Sequence, residues 1–115
     1  MCKAHRNWAS SLSGLAGGLI PLGRHDEALK HYRRAAAIRA ACLNDDHPNV
    51  AFGEHNIALC LSEMGRSAEA LPHAEAALDI ERRTLGDDHP STRWSVAFVA
   101  LLREELADDE EEGGE

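Results

Sequence analysis

Leu43-Asn44-Asp45-Asp46-His47-Pro48 returns forty-two residues later as Leu85-Gly86-Asp87-Asp88-His89-Pro90. The correspondence reaches well upstream of the hexamer. Between 23–48 and 65–90, 13 of 26 positions are identical, among them Gly23/Gly65, Arg24/Arg66, Ala28/Ala70, His31/His73, Ala35/Ala77 and Ile38/Ile80. A constant offset of this length marks supersecondary units that stack, because no single unit can bury its own apolar face.

Around the hexamer the pattern is helical. Upstream of it, Gly23-Arg24 makes a turn, and Asp26 and Glu27 sit favourably in the first turn of a helix. Ala28, Tyr32, Ala35 and Ile38 then follow at helical steps, with Lys30, Arg33, Arg34 and Arg39 on other faces, as far as about Leu43. Asp46 or His47 is placed to cap the next helix, and Pro48 suits its first turn. That helix carries Val50, Ile57, Ala58, Leu61 and Met64 on its apolar side. Gly65-Arg66 turns again, and Ser67 is the expected N-cap of a helix bearing Ala70, Leu71, Ala74, Ala77, Leu78 and Ile80. After Pro90 a further helix presents Trp94, Phe98, Leu101 and Leu102. At the other end, a helix beginning at Trp8 has Leu12, Leu15, Ala16 and Leu19 on one face. Gly14, Gly17 and Gly18 each cost it about 1 kcal/mol relative to Ala.

The organisation expected is an N-terminal segment 1–7, one unit over 8–47, a second over 48–89, a capping helix over 90–106 and a disordered acidic tail over 107–115. The fold class is all-α: a short right-handed α-solenoid of two antiparallel helix pairs and a fifth helix.

Composition agrees and narrows the function. Of 115 residues 43% are apolar and only 4% aromatic, which suits small side chains between close-packed helices. The net charge of −8 lies in residues 104–115, where eight acids occur without a base; elsewhere acids and bases balance. That is no footprint for nucleic acid, which calls for a basic face. Cys2, Cys42 and Cys60 contain no Cys-x-x-Cys pair, so they suggest a reducing compartment and not a disulfide framework or zinc knuckle. No apolar run has signal-peptide or membrane-spanning length, and the cytoplasm is the expected location.

The residues resemble the tetratricopeptide repeat (TPR). The first unit supplies Leu15-Ala16, Leu19, Gly23, Ala28, Tyr32 and Ala35; the second supplies Ile57-Ala58, Leu61, Gly65, Ala70, Ala74 and Ala77. The usual repeat has about 34 residues. A period eight residues longer, with Asp-Asp-His-Pro at the connection and Asn56-Ile57-Ala58 in the next helix, is similar to the kinesin-light-chain type. Ala74 stands where the family has an aromatic. The resemblance implies about two and a half units, no cofactor, and a surface along the first helices that holds a partner's peptide or helix. Its groove positions carry over to Phe52, Asn56, Leu59 and Ser62 in the second unit and to Trp94, Phe98, Leu101 and Glu105 in the third. In the first unit they fall on Ser10, Gly14, Gly17 and Pro21, which offer little.

The function expected is a non-catalytic protein–protein interaction module whose partner has apolar anchors and basic flanks, with no nucleic acid and no membrane. The alternative is structural: the terminal part of a longer solenoid, or a scaffold that self-associates through its ends. Competing chemistry is weaker. His47 and His89 recur beside acids but supply one imidazole each, so capping is favoured over zinc. Arg33, Arg34, Arg39 and Lys30 suggest an anion site, against which stands the commoner solvated face. Ser10, Ser11 and Ser13 lie in no nucleophile elbow, and no phosphate loop is present.

Overall fold

The computed structural model describes residues 2–43 and 47–113. Asn44, Asp45 and Asp46 lie outside the described residues, and with them the capping role considered for Asp46. Five α-helices follow one another: α1 Cys2–Leu19, α2 His25–Cys42, α3 Pro48–Glu63, α4 Ser67–Thr84 and α5 Pro90–Gly113. No strand occurs among the described residues. Each helix packs chiefly on those before and after it in the chain, α1 on α2, α2 on α3, α3 on α4 and α4 on α5. This is an α-solenoid of two helix pairs and a fifth helix.

Two helices are longer than expected. The first begins at Cys2 and not at Trp8, and the last runs to Gly113, through most of the segment expected to be disordered. The reason is propagation. Once a helix is nucleated, extending it fixes one residue per bond, and Lys3, Ala4 and Arg6 at one end and Glu110, Glu111 and Glu112 at the other are good helix formers. The weak end of α1 is where Pro21 places it. The α-helix stops at Leu19 and a 3-10 turn, Ile20–Leu22, leads to Gly23.

The turns are built alike in both pairs. Gly23 and Gly65 both have φ of 76°, a left-handed conformation that L side chains resist. The following amide reaches back five residues, Arg24 to the Leu19 carbonyl at 3.1 Å and Arg66 to that of Leu61 at 2.8 Å. These bonds satisfy carbonyls that a helix end leaves unpaired. The arginines then pair forward within the next helix, Arg24 with Glu27 at 2.6 Å and Arg66 with Glu69.

The Asp-Asp-His-Pro connections cap through histidine. The Asn49 amide donates to Nδ1 of His47 at 3.0 Å, and the Ser91 amide to Nδ1 of His89 at 3.1 Å. The expected Ser67 cap is not formed. Arg66 occupies that position without a capping bond from its side chain, and the Ser67 hydroxyl instead donates to Glu105 at 2.6 Å across to α5. A direct consequence concerns His89→Ala, expected to lower unfolding free energy by about 0.5–2 kcal/mol in a urea titration. Asp88→Ala should change it little and added zinc should have no effect. A zinc-dependent rise in melting temperature, lost in His89→Ala, would revive a metal role for the motif.

The core is rich in alanine at recurring positions. Ala16 and Ala58, Ala28 and Ala70, and Ala35 and Ala77 are all fully buried, as is Ala74. Leu19, Leu29, Ile57, Leu61, Leu78, Phe98, Val99 and Leu102 fill the space between the helices. Ala100, the α5 counterpart of Ala16 and Ala58, is exposed, since no helix follows α5 among the described residues.

Candidate functional site

The first helices, α1, α3 and α5, present the expected groove positions in different ways. Phe52 and Trp94, counterparts one period apart, are 54% and 48% exposed, and Leu101 is 49% exposed. Asn56, Leu59 and Ser62 are half-buried on α3, with Leu59 against the main core. Phe98 does not offer itself to a partner. It is 7% exposed and its ring stacks under that of Trp94, with centroids 5.2 Å apart. Its contribution is to hold Trp94 upright. Glu105 is half-buried and engaged by Ser67, so it ties α5 to α4.

A cleft of about 510 Å³ opens where α3 and α5 begin and α4 ends. Phe52, Trp94, Leu85 and Pro90 supply its apolar lining, and Asn49 and Ser91 its polar rim. His55 and Glu81 line it from more deeply buried positions, their side chains 14% and 5% exposed. Trp94 also meets the His55 ring edge-on, centroids 5.3 Å apart. Of the eight groove residues expected from the sequence, only Phe52 and Trp94 line this cleft.

Beside the cleft, three helices meet in a buried polar knot. Nε2 of His55 lies 2.8 Å from Oε1 of Glu81 and 2.9 Å from Oγ of Ser95. The Ser95 hydroxyl is also within bonding reach of the same Glu81 oxygen. Ser, His and Glu together suggest a nucleophilic triad, and the geometry argues against one. In a relay the acid and the serine address opposite ring nitrogens; here both address Nε2, and Nδ1 is buried without a hydrogen-bond partner. Ser95 is fully buried as well. The knot joins α3, α4 and α5 and works as structure.

Other titratable groups also serve packing. His73 Nδ1 meets Glu54 at 2.6 Å between α4 and α3, and His25 Nε2 meets Glu63 at 3.1 Å between α2 and α3. The Cys60 thiol donates to the His25 carbonyl at 3.4 Å, and burial, followed by the charge of Glu63, raises its pKa, away from the thiolate a nucleophile needs. Burial likewise raises the Tyr32 pKa. No group of three or more potential metal ligands occurs among the described residues. No helix there is long and apolar enough to cross a membrane.

The basic cluster divides. Arg34 lies over the exposed Trp8 ring at 4.6 Å, a surface contact. Arg39, expected on a solvated face, is only 6% exposed. It continues the buried register of Tyr32 and Ala35 by one helical step, as Glu81 continues that of Ala74 and Ala77. A charge in core register was the available signal for both.

Comparison with known proteins agrees with this architecture. The family model of the tetratricopeptide repeat matches residues 9–80 and 53–112. Among solved structures, the nearly identical TPR-like repeats ascribed to a Podosopora anserina kinesin light chain superpose with a TM-score of 0.81 at 26% identity. A single-substitution variant of that protein gives 0.73 at 26% identity. In both cases the match covers 90% of this chain and 49% of the other, so this chain spans about half their length. No curated protein matches. Repeats of this family are in general protein–protein interaction modules and in general non-catalytic. The chain belongs to the tetratricopeptide repeat family.

Proposed function

We propose that this chain is a non-catalytic interaction module that holds a segment of a partner protein, peptide or helix, along α3 and α5. The observation that carries this reading is the pair Phe52 and Trp94, each about half in solvent beside one cleft. Burying such a ring contributes roughly 1.5–3 kcal/mol, and exposed apolar surface rimmed by polar groups is characteristic of interaction sites. Glu81 at the buried end of the cleft, and the exposed Glu63, Glu104 and Asp108 farther along α3 and α5, favour a partner with one or two apolar anchors and basic flanks. Rim charges of this kind chiefly set association rate and specificity. We also assign the chain to the cytoplasm, in keeping with the buried free thiol of Cys60.

Selection of a displayed peptide library on the intact chain tests the reading. It should return sequences with an apolar residue beside Lys or Arg. Phe52→Ala and Trp94→Ala should each weaken the selected peptides at least about tenfold, as hot-spot truncations do, with unchanged helical circular dichroism. Asn56→Ala should have a smaller effect. Full affinity in both aromatic variants would move the binding surface elsewhere.

A second reading draws on the other end of the molecule. Trp8, Leu15 and Leu22 are 47%, 54% and 68% exposed. Their counterparts one period on are Val50, Ile57 and Met64, which are at least partly buried against the cores. The end surface of α1 is thus one that a preceding helix would cover, as in a longer array or a self-associating scaffold. Sedimentation velocity across a hundredfold concentration range separates the readings, since a self-associating chain should gain mass and lose that gain in Leu15→Glu.

A further inference from the structure

The forty-two-residue offset relates not only apolar positions but buried polar ones. His55, Glu81 and Ser95, which close on one another where the second unit meets α5, correspond to Ser13, Arg39 and Gly53 where the first unit meets the second. The first set bonds within itself and leaves only Nδ1 of His55 unpartnered; the second set makes no such bonds. Nη1 of Arg39 and Oγ of Ser13 are both buried without a hydrogen-bond partner. The residue equivalent to Ser95 is Gly53, which has no side chain to offer; a Cβ built there would stand 3.6 Å from Arg39 Nη1. The Phe52 ring lies 5.8 Å from the guanidinium, where its face offsets part of the lost hydration but accepts no conventional hydrogen bond. Burial lowers the Arg39 pKa, the direction expected of a cation withdrawn from water.

A buried cation with an idle donor is costly, and in the adjoining junction the same position carries the acid. We propose that the junction of α2 and α3 is an anion site in which Arg39 receives a carboxylate, the group that the neighbouring junction supplies from Glu81. A carboxylate fits for two reasons. It is planar and matches the guanidinium fork, and a single negative charge balances the one cation that is buried there. The exposed Phe52 ring flanks the site, so an acidic side chain on a partner segment crossing α3 would reach Arg39 beside it. A free small carboxylic acid shares the same chemistry. The site shares Phe52 with the aromatic cleft, but Arg39, Ser13 and Gly53 do not line that cleft, so the test is made at those residues.

The test uses the intact chain with three probes: sodium acetate, the blocked tripeptide Ala-Glu-Ala, and blocked Ala-Gln-Ala. Acetate should raise the melting temperature saturably beyond sodium chloride at matched ionic strength. It should also shift the Arg39 Nε–H and Gly53 amide resonances in heteronuclear spectra. Arg39→Met should melt higher than the parent in the absence of acetate, since it removes an unpaired buried charge, and should lose the acetate response. Gly53→Ser, which restores the hydroxyl of the other junction, should weaken that response. A response to the Glu peptide and not to the Gln peptide assigns the carboxylate to a partner's side chain, whereas a response to acetate alone assigns it to a free acid. An acetate effect no larger than that of chloride, or one that survives in Arg39→Met, overturns the proposal.

Discussion

Leu61→Ala is expected to remove about 2–5 kcal/mol of stability, the largest loss from any single truncation in this chain. Leu61 is fully buried in the central core, on α3 with α2 and α4 to either side. Its surroundings are fully buried alanines such as Ala58, Ala70 and Ala74, which have no rotamers with which to collapse into a void. Whole domains retain only about 5–15 kcal/mol, and an array of two pairs and one helix stands near the lower limit for solenoids. The variant should therefore be substantially unfolded at 37 °C by circular dichroism. Leu101→Ala on exposed surface should stay within about 0.5 kcal/mol of the parent in urea. Equal effects at the two sites would contradict the packing described.

Glu81→Ala should be the second most damaging change. It withdraws the acceptor shared by His55 and Ser95, and each buried donor left unmade costs about 1–3 kcal/mol. Glu81→Gln keeps one acceptor oxygen and should lose less. A double-mutant cycle of Glu81→Ala with His55→Ala isolates the coupling, expected at about 0.5–3 kcal/mol in urea. Additive losses would mean that the two groups do not depend on each other. The change should also alter the cleft, since both residues line it.

The helices, their order and the Gly-Arg turns were legible because repetition says twice what one copy says ambiguously. Ala28 alone is a small residue on a helix; Ala28 with Ala70, and Ala16 with Ala58, mark a contact register. Where the copies differ, the reading weakens. Arg39 and Glu81 share a position but not a charge, so neither is flagged by identity, and their burial follows from the register alone. Trp94 and Phe98 lie one turn apart, and periodicity does not distinguish the ring in solvent from the ring beneath it. That difference is set by α4, which covers one side of α5. Ser67 has the chemistry of a cap, yet Glu105, thirty-eight residues on, takes its hydroxyl; no local rule contains that competition. The helices run past their expected bounds, to Cys2 and Gly113, because cooperative propagation carries good helix formers beyond the packed span.

Because each helix leans mainly on its neighbours in the chain, contacts close short loops and little chain entropy is spent before they form. Such a molecule should fold quickly, and it has no single gate through which it must unfold. Opening α1 leaves the pairing of α3 with α4 intact, and releasing α5 leaves α1 on α2. Amide hydrogen exchange should consequently be graded along the chain, slowest around Leu61 and Ala74 and faster toward both ends, with the glycine-rich α1 the first to exchange. A partner bridging α3 and α5 would flatten the gradient at one end only. The direction from which the chain loosens would then report which surface is occupied.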